Sequence, residues 1–123
     1  MADYVALSTT DGFEDGTMKQ VDADGHEFLI ARVGDAYYIS DARCPHLHGH
    51  LVKGTLDGAV VECPLHHSQF DLTDGSVVRW TDFTGAVKSV AEFARHARPL
   101  RVYGSMIDGD TIMVGPQKTP PDA

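Results

Sequence analysis

Both cysteines of this chain, and two of its seven histidines, fall into a pair of similar clips, Cys44-Pro45-His46 and Cys63-Pro64-Leu65-His66. Sixteen residues separate His46 from Cys63. Thiolate and imidazole are the side chains that hold soft and borderline metal ions, and two of each satisfy a tetrahedral zinc ion. Zinc knuckles usually pair Cys with Cys at C-x2-4-C and His with His at H-x3-5-H, however, and here each clip is mixed. A mixed clip suits a site of two metal ions, because each loop can give its Cys to one ion and its His to the other. The bland reading, two small buried hydrophobes beside chance histidines, leaves the repetition of the Cys-Pro clip unexplained.

The elements around the clips must bring them together. Asp-Gly occurs at residues 11, 15, 24, 57, 74 and 108 with the glycine following, a dipeptide suited to two-residue hairpin turns. Between these turns lie short β-rich runs at 4–7, 17–21, 27–33, 36–40, 59–62, 69–72, 100–103 and 111–114. Many short strands with turns between them indicate an antiparallel sandwich or barrel. A hairpin of 53–56 with 59–62, turning at Asp57-Gly58, would set the two clips side by side. From Ser89 to Arg98 the pattern changes to one amphipathic helix, with Ser89 and Glu92 at capping-box spacing and Pro99 ending it. Residues 115–123 carry three prolines and read as a frayed tail after a single domain spanning 1–114.

The run Cys44-Pro-His-Leu-His-Gly-His-Leu, followed by Cys63-Pro-Leu-His-His-Ser-Gln-Phe-Asp-Leu and Thr73-Asp-Gly-Ser, resembles the C-x-H-x16-C-x2-H motif of Rieske-type ferredoxins. The motif and its flanks cover about residues 41–76. The resemblance implies an all-β fold of small antiparallel sheets with a cluster-binding subdomain of two loops. The helix near 90–97 is an insertion relative to simple members. It also implies one Rieske-type 2Fe-2S cluster, with Cys44 and Cys63 on the inner iron and His46 and His66 on the outer, electron-accepting one. The extra cysteines that form a disulfide over the cluster in cytochrome-complex members are absent, their places taken by Leu47 or His48 and by Leu65.

Around the ligands, Ser68, His67, Pro45 and Pro64 are the positions expected to tune the cluster. Ser68 stands where high-potential members place a hydroxyl donor to sulfur, although a turn-capping serine is an equal reading. Phe70 replaces a second, tyrosine donor, which favours the lower half of the roughly −150 to +300 mV Rieske span. The prolines stiffen the clips by fixing φ. His67 departs from the family's usual glycine; with His48 and His50 it is first read as a solvated loop histidine, and second as a group that titrates near the cluster. Gly49 and Gly54 suit a tight return of the first loop, Asp71 reads as structural, and Trp80 as packing.

Composition narrows the rest. Ten Lys and Arg against eighteen Asp and Glu give a formal charge of −8, with no basic stripe to neutralise phosphates, so nucleic acid is not an expected partner. No apolar run approaches the roughly 20 residues of a membrane helix. Residues 1–4 do not read as a secretory leader, and a cytoplasmic protein is the expectation. The leading expectation is therefore a one-electron carrier between a flavin-dependent reductase and a terminal oxygenase, often an aromatic-ring hydroxylating one in this family. No substrate-converting activity of its own is expected. The alternatives are the small Rieske subunit of a nitrite reductase-like complex, and a zinc-stabilised binding module without redox role.

Overall fold

In a computed structural model of the chain, the described residues are 4–23, 25–44, 49–64, 68–79 and 100–118. They form strands β1 (Val5–Thr9), β2 (Met18–Ala23), β3 (His26–Val33) and β4 (Ala36–Asp41), then a single 3-10 turn at Leu51–Lys53. There follow β5 (Thr55–Asp57), β6 (Val60–Glu62), β7 (Gln69–Asp71), β8 (Val77–Arg79), β9 (Val102–Asp108) and β10 (Thr111–Gln117). Six strands form one antiparallel sheet in the order β1-β10-β9-β4-β3-β2, and β5-β6-β7-β8 form a second. The expected all-β architecture of small antiparallel sheets is what the chain adopts.

The small sheet is an excursion from the large one. The chain leaves β4 and returns at β9, and these two pair directly at Ile39 with Tyr103 and Ser40 with Val102. The return is fixed at its base, where the Leu100 N–H donates to the Gly75 carbonyl (2.9 Å) and the Asp41 N–H to the Arg101 carbonyl (2.9 Å).

Strand β3 shows why the sequence folds this way. Successive side chains on a strand point to opposite faces. Leu29 and Ala31 enter one buried cluster with Ala42, Cys44, Leu51, Val61, Cys63, Phe70, Leu72 and Leu100, between the sheets. Ile30, between them, enters a second cluster with Phe13, Ile39, Ile112 and Val114. Leu7 of β1, Val21 of β2 and Tyr103 of β9 pack on that second cluster, so the large sheet curls around it until its edge strands β1 and β2 come into contact. Each fully buried Leu, Ile or Phe contributes about 1.5–3 kcal/mol, and β3 contributes on both faces.

The turns follow the expected dipeptides with a shift in register. The glycines of all six Asp-Gly pairs have positive φ, between +58° and +80°. At Asp57 and Asp108, however, the Asp ends the strand, and the loop residues are Gly58-Ala59 and Gly109-Asp110. A third hairpin uses Gly34-Asp35 between Val33 and Ala36. The primed turns that suit strand twist need positive φ at the first loop position, and glycine supplies it there.

Other expectations shift as well. Residues 51–53 form a 3-10 turn, so the first limb of the 55–62 hairpin begins at Thr55 instead of Lys53. Strand β10 runs through Gln117, past the expected end at 114, with the Lys118 N–H donating to the Val102 carbonyl (2.7 Å). Pro116 is accommodated because the register slips between Val114 and Gln117, and an irregularity is where an inner strand tolerates a residue without an N–H. The expected helix of 89–98 and Trp80 lie outside the described residues.

Candidate metal centre

Cys44 and Cys63 start two loops that are closed in the same way. The Cys44 N–H donates to the carbonyl of Gly49 (2.9 Å), and the Cys63 N–H to the carbonyl of Ser68 (2.8 Å), in each case five residues on. The first loop leaves β4 through Ala42 and Arg43. Its neck is an isolated antiparallel bridge between Arg43 and His50, and the Leu51 N–H donates back to Ala42 (3.0 Å). The second loop is the connection of β6 to β7, whose strands pair at Glu62 with Gln69 and Val61 with Phe70.

The 3-10 turn joins the two. It buries Leu51 completely and ends at Gly54, which lies against the second limb. A Cβ at Gly54 would stand 1.8 Å from the Glu62 carbonyl oxygen and 3.2 Å from Cδ of Pro64. Only glycine allows that approach, and it brings the stem of the first loop onto the chain entering the second.

Both cysteines are buried, at 0% and 1% exposure, in the same apolar cluster, and neither forms a disulfide. Thiolate is the form in which cysteine binds a metal, and a buried anion is costly unless paired or metal-bound, so two cysteines sharing this core are suited as ligands to a cationic group at the loop bases. That donor chemistry fits the inner iron of a two-iron, two-sulfide cluster, and Cys44 and Cys63 are the residues that would hold it. Among the described residues no group of three or more Cys, His, Asp or Glu converges, the cysteine pair being the described half of the expected ligand set. His46 and His66, with Pro45, Leu47, His48, Leu65 and His67, lie outside the described residues.

The other expected residues fall as follows. Pro64 is an exposed turn residue directly after Cys63. Ser68 is fully buried and its carbonyl closes the second loop, while Phe70 is fully buried two residues on in β7. Asp71 is structural: its Oδ1 accepts from the Thr73 N–H (2.9 Å) and hydroxyl (2.6 Å), and its carbonyl accepts from Gly75 N–H. His50 Nδ1 donates to Gln20 Oε1 (2.9 Å) on β2.

Three features beside the loops were not legible in the sequence. Arg43 places its guanidinium on the Glu27 carboxylate, Nε to Oε1 at 2.9 Å and Nη2 to Oε2 at 3.3 Å, and this bond and charge hold Glu27 below the usual carboxylate range. Gln20 meets His50 across thirty residues of chain. Asp41 accepts from both Tyr103 O–H (2.5 Å) and His26 Nε2 (2.8 Å), and burial together with that carboxylate pushes the Tyr103 phenol above its usual range. All three join residues 15 to 62 positions apart, for which a single strand pattern carries no signal.

A family model described as the Rieske [2Fe-2S] domain matches residues 3–94. The ferredoxin CarAc of Metapseudomonas resinovorans is 34% identical over 73 residues, covering 58% of this chain and 68% of the relative. Among solved structures, the ferredoxin of carbazole 1,9a-dioxygenase from Nocardioides aromaticivorans IC177 superposes with a TM-score of 0.73 at 29% identity, over 94% of this chain and 99% of that one. A chain from a complex of reduced oxygenase and oxidised ferredoxin in carbazole 1,9a-dioxygenase gives 0.74 at 25% identity, over 98% and 99%.

Proposed function

From the premise that this chain belongs to the Rieske [2Fe-2S] domain family, we propose that it is a ferredoxin: a one-electron carrier that takes electrons from a flavin-dependent reductase and passes them to a terminal oxygenase. The observation that carries this reading is the pair of buried cysteines, not joined by a disulfide, at the bases of two identically closed loops. The ferredoxin relatives and the oxygenase–ferredoxin complex support it. An aromatic substrate for the oxygenase is the finer form of the proposal, taken from the same relatives.

In this reading Cys44 and Cys63 hold the inner iron of one Rieske-type 2Fe-2S cluster, and His46 and His66 hold the outer iron. When bound, the cluster takes up and releases a single electron at its histidine-ligated iron. The chain's own task is to keep the geometry constant between the two charge states. The two Cys N–H closures, the 3-10 turn and the Gly54 contact belong to the stiff base on which both loops stand. The protein is read as one Rieske domain with its cluster-binding part at about 41–76, working in the cytoplasm, where free thiols persist. No helix among the described residues is long and apolar enough to cross a membrane.

The test is iron, acid-labile sulfide and zinc content of protein purified without oxygen, with an EPR spectrum after dithionite reduction of the same sample. About two irons and two sulfides per chain with a Rieske-type signal is the expected result, two being the cluster's stoichiometry. One zinc and no sulfide would overturn the reading in favour of a zinc-stabilised module. Stable co-purification with a large sirohaem enzyme would transfer the chain to a nitrite reductase-like complex.

A further inference from the structure

Arg43 and His50 face each other across the neck of the first loop, and both reach sideways to the same β2–β3 hairpin. Arg43 engages Glu27 of β3 fork to fork, at 2.9 and 3.3 Å. His50 donates to Gln20 of β2 at 2.9 Å. Between these contacts the Ala42 N–H donates to the Glu27 carbonyl (3.1 Å), so the main chain entering the loop is anchored to the residue that also holds the guanidinium. The hairpin is itself continuous, with six paired positions from Met18 opposite Ala31 to Ala23 opposite His26. The loop's two stems are therefore attached to a continuously paired hairpin outside the cluster-binding part of the chain.

We propose that Gln20 and Glu27 are positioning residues for the cluster: through His50 and Arg43 they hold both stems of the first loop and so set where Cys44 stands relative to Cys63. The proposal rests on the ferredoxin reading and extends it to residues far from the motif. Cys44 follows Arg43 directly, and its N–H closes the loop onto Gly49, the neighbour of His50. A stem freed on one side moves a ligand and the loop closure together. An exposed ion pair adds little to global stability, so the consequence is local: more frequent opening of the loop while the rest of the fold is unchanged.

The experiment uses protein carrying its iron and sulfide, and follows iron transfer to a ferrous chelator together with the EPR g-values. Glu27→Ala and Gln20→Leu are expected to release iron several-fold faster than wild type, with shifted g-values and unchanged far-ultraviolet circular dichroism. Gln20→Glu keeps the Oε acceptor and is expected to restore the wild-type rate. The double variant Glu27→Ala/Arg43→Ala is expected to be no faster than the faster single variant, because one interaction is lost once. Wild-type rates and spectra in Glu27→Ala and Gln20→Leu, or additive effects in the double variant, would overturn the proposal. Glu27→Leu, which fills a similar volume without an acceptor for the guanidinium, replaces Glu27→Ala if the latter does not fold. A wild-type protein without iron and sulfide would overturn the ferredoxin reading, and this proposal with it; a loaded protein that ignores both substitutions would overturn the positioning role alone.

Discussion

Gly54 lies directly against the carbonyl of Glu62, so that a Cβ added there would stand 1.8 Å from its oxygen. The contact is between two stretches of main chain, neither of which can rotate aside as a flexible side chain would. Gly54→Ala is therefore expected to push the first loop's stem away from the second. Overpacking of this kind costs about 1–3 kcal/mol, and here the displacement falls on the bases of both ligand loops. Thermal unfolding should show the lower midpoint, and iron content per chain should drop. An unchanged midpoint with full iron would show that the two limbs separate freely.

Ser68 is fully buried beside the second loop closure. If its hydroxyl donates to a cluster sulfur, Ser68→Ala lowers the reduction potential, because a donor favours the more negative reduced state. The potential reads the difference between that bond in the two states, about 0.5–1.5 kcal/mol to a neutral group and about 1.5–3 to a charged one, so about 1–1.5 kcal/mol. At about 59 mV per tenfold for one electron, that is a fall of about 40–65 mV by film voltammetry. An unchanged potential would assign Ser68 to the turn alone.

Phe70, two residues on, is fully buried in β7 and brings no hydroxyl. The wild-type potential is accordingly expected in the lower half of the roughly −150 to +300 mV Rieske range. A value near the top of that range would show that the donors come from elsewhere in the loops.

Tyr103 is held protonated, first by burial and then by its bond to the Asp41 carboxylate. Its folded value lies above that of the unfolded chain, so its contribution is complete below the unfolded tyrosine value, roughly 10, and is lost as pH rises toward the folded one. An ultraviolet phenolate titration should show one tyrosine ionising late, above the ordinary tyrosine range. That late step should be missing in Tyr103→Phe, whose stability should also fall less steeply above pH 10 or so.

Glu27 behaves in the opposite sense. Its folded value is depressed by Arg43, so its contribution is present above the unfolded carboxylate range and is lost as pH falls through the folded value. Carboxyl-resolved NMR should place the Glu27 midpoint below that of an exposed glutamate. Arg43→Ala should return it to the ordinary range.

The division between what was legible in the sequence and what was not follows the range of the interactions. The strand runs were readable because short β-rich stretches and the Asp-Gly turns between them are local properties of consecutive residues. The offset of the loops by one residue at Asp57 and Asp108 was not, because it depends on which position of a primed turn takes positive φ once the strands have paired. Residues 115–117 read as tail, since prolines argue against a strand. They pair nonetheless, because the register slip beside Pro116 removes the need for its missing N–H.

For the site, the sequence by itself determined the donor types and their grouping into two clips, since ligand chemistry is a property of side chains and close spacing is a property of the chain. The tertiary structure alone decided that Cys44 and Cys63 share one buried cluster, that each loop is closed by the N–H of its own cysteine, and that Gly54 packs one limb on the other. It also decided which distant residues hold the first loop in place. Gln20 and Glu27 carry no mark in the sequence, because their partners lie 30 and 16 residues away and meet them only after β2, β3 and β4 have paired.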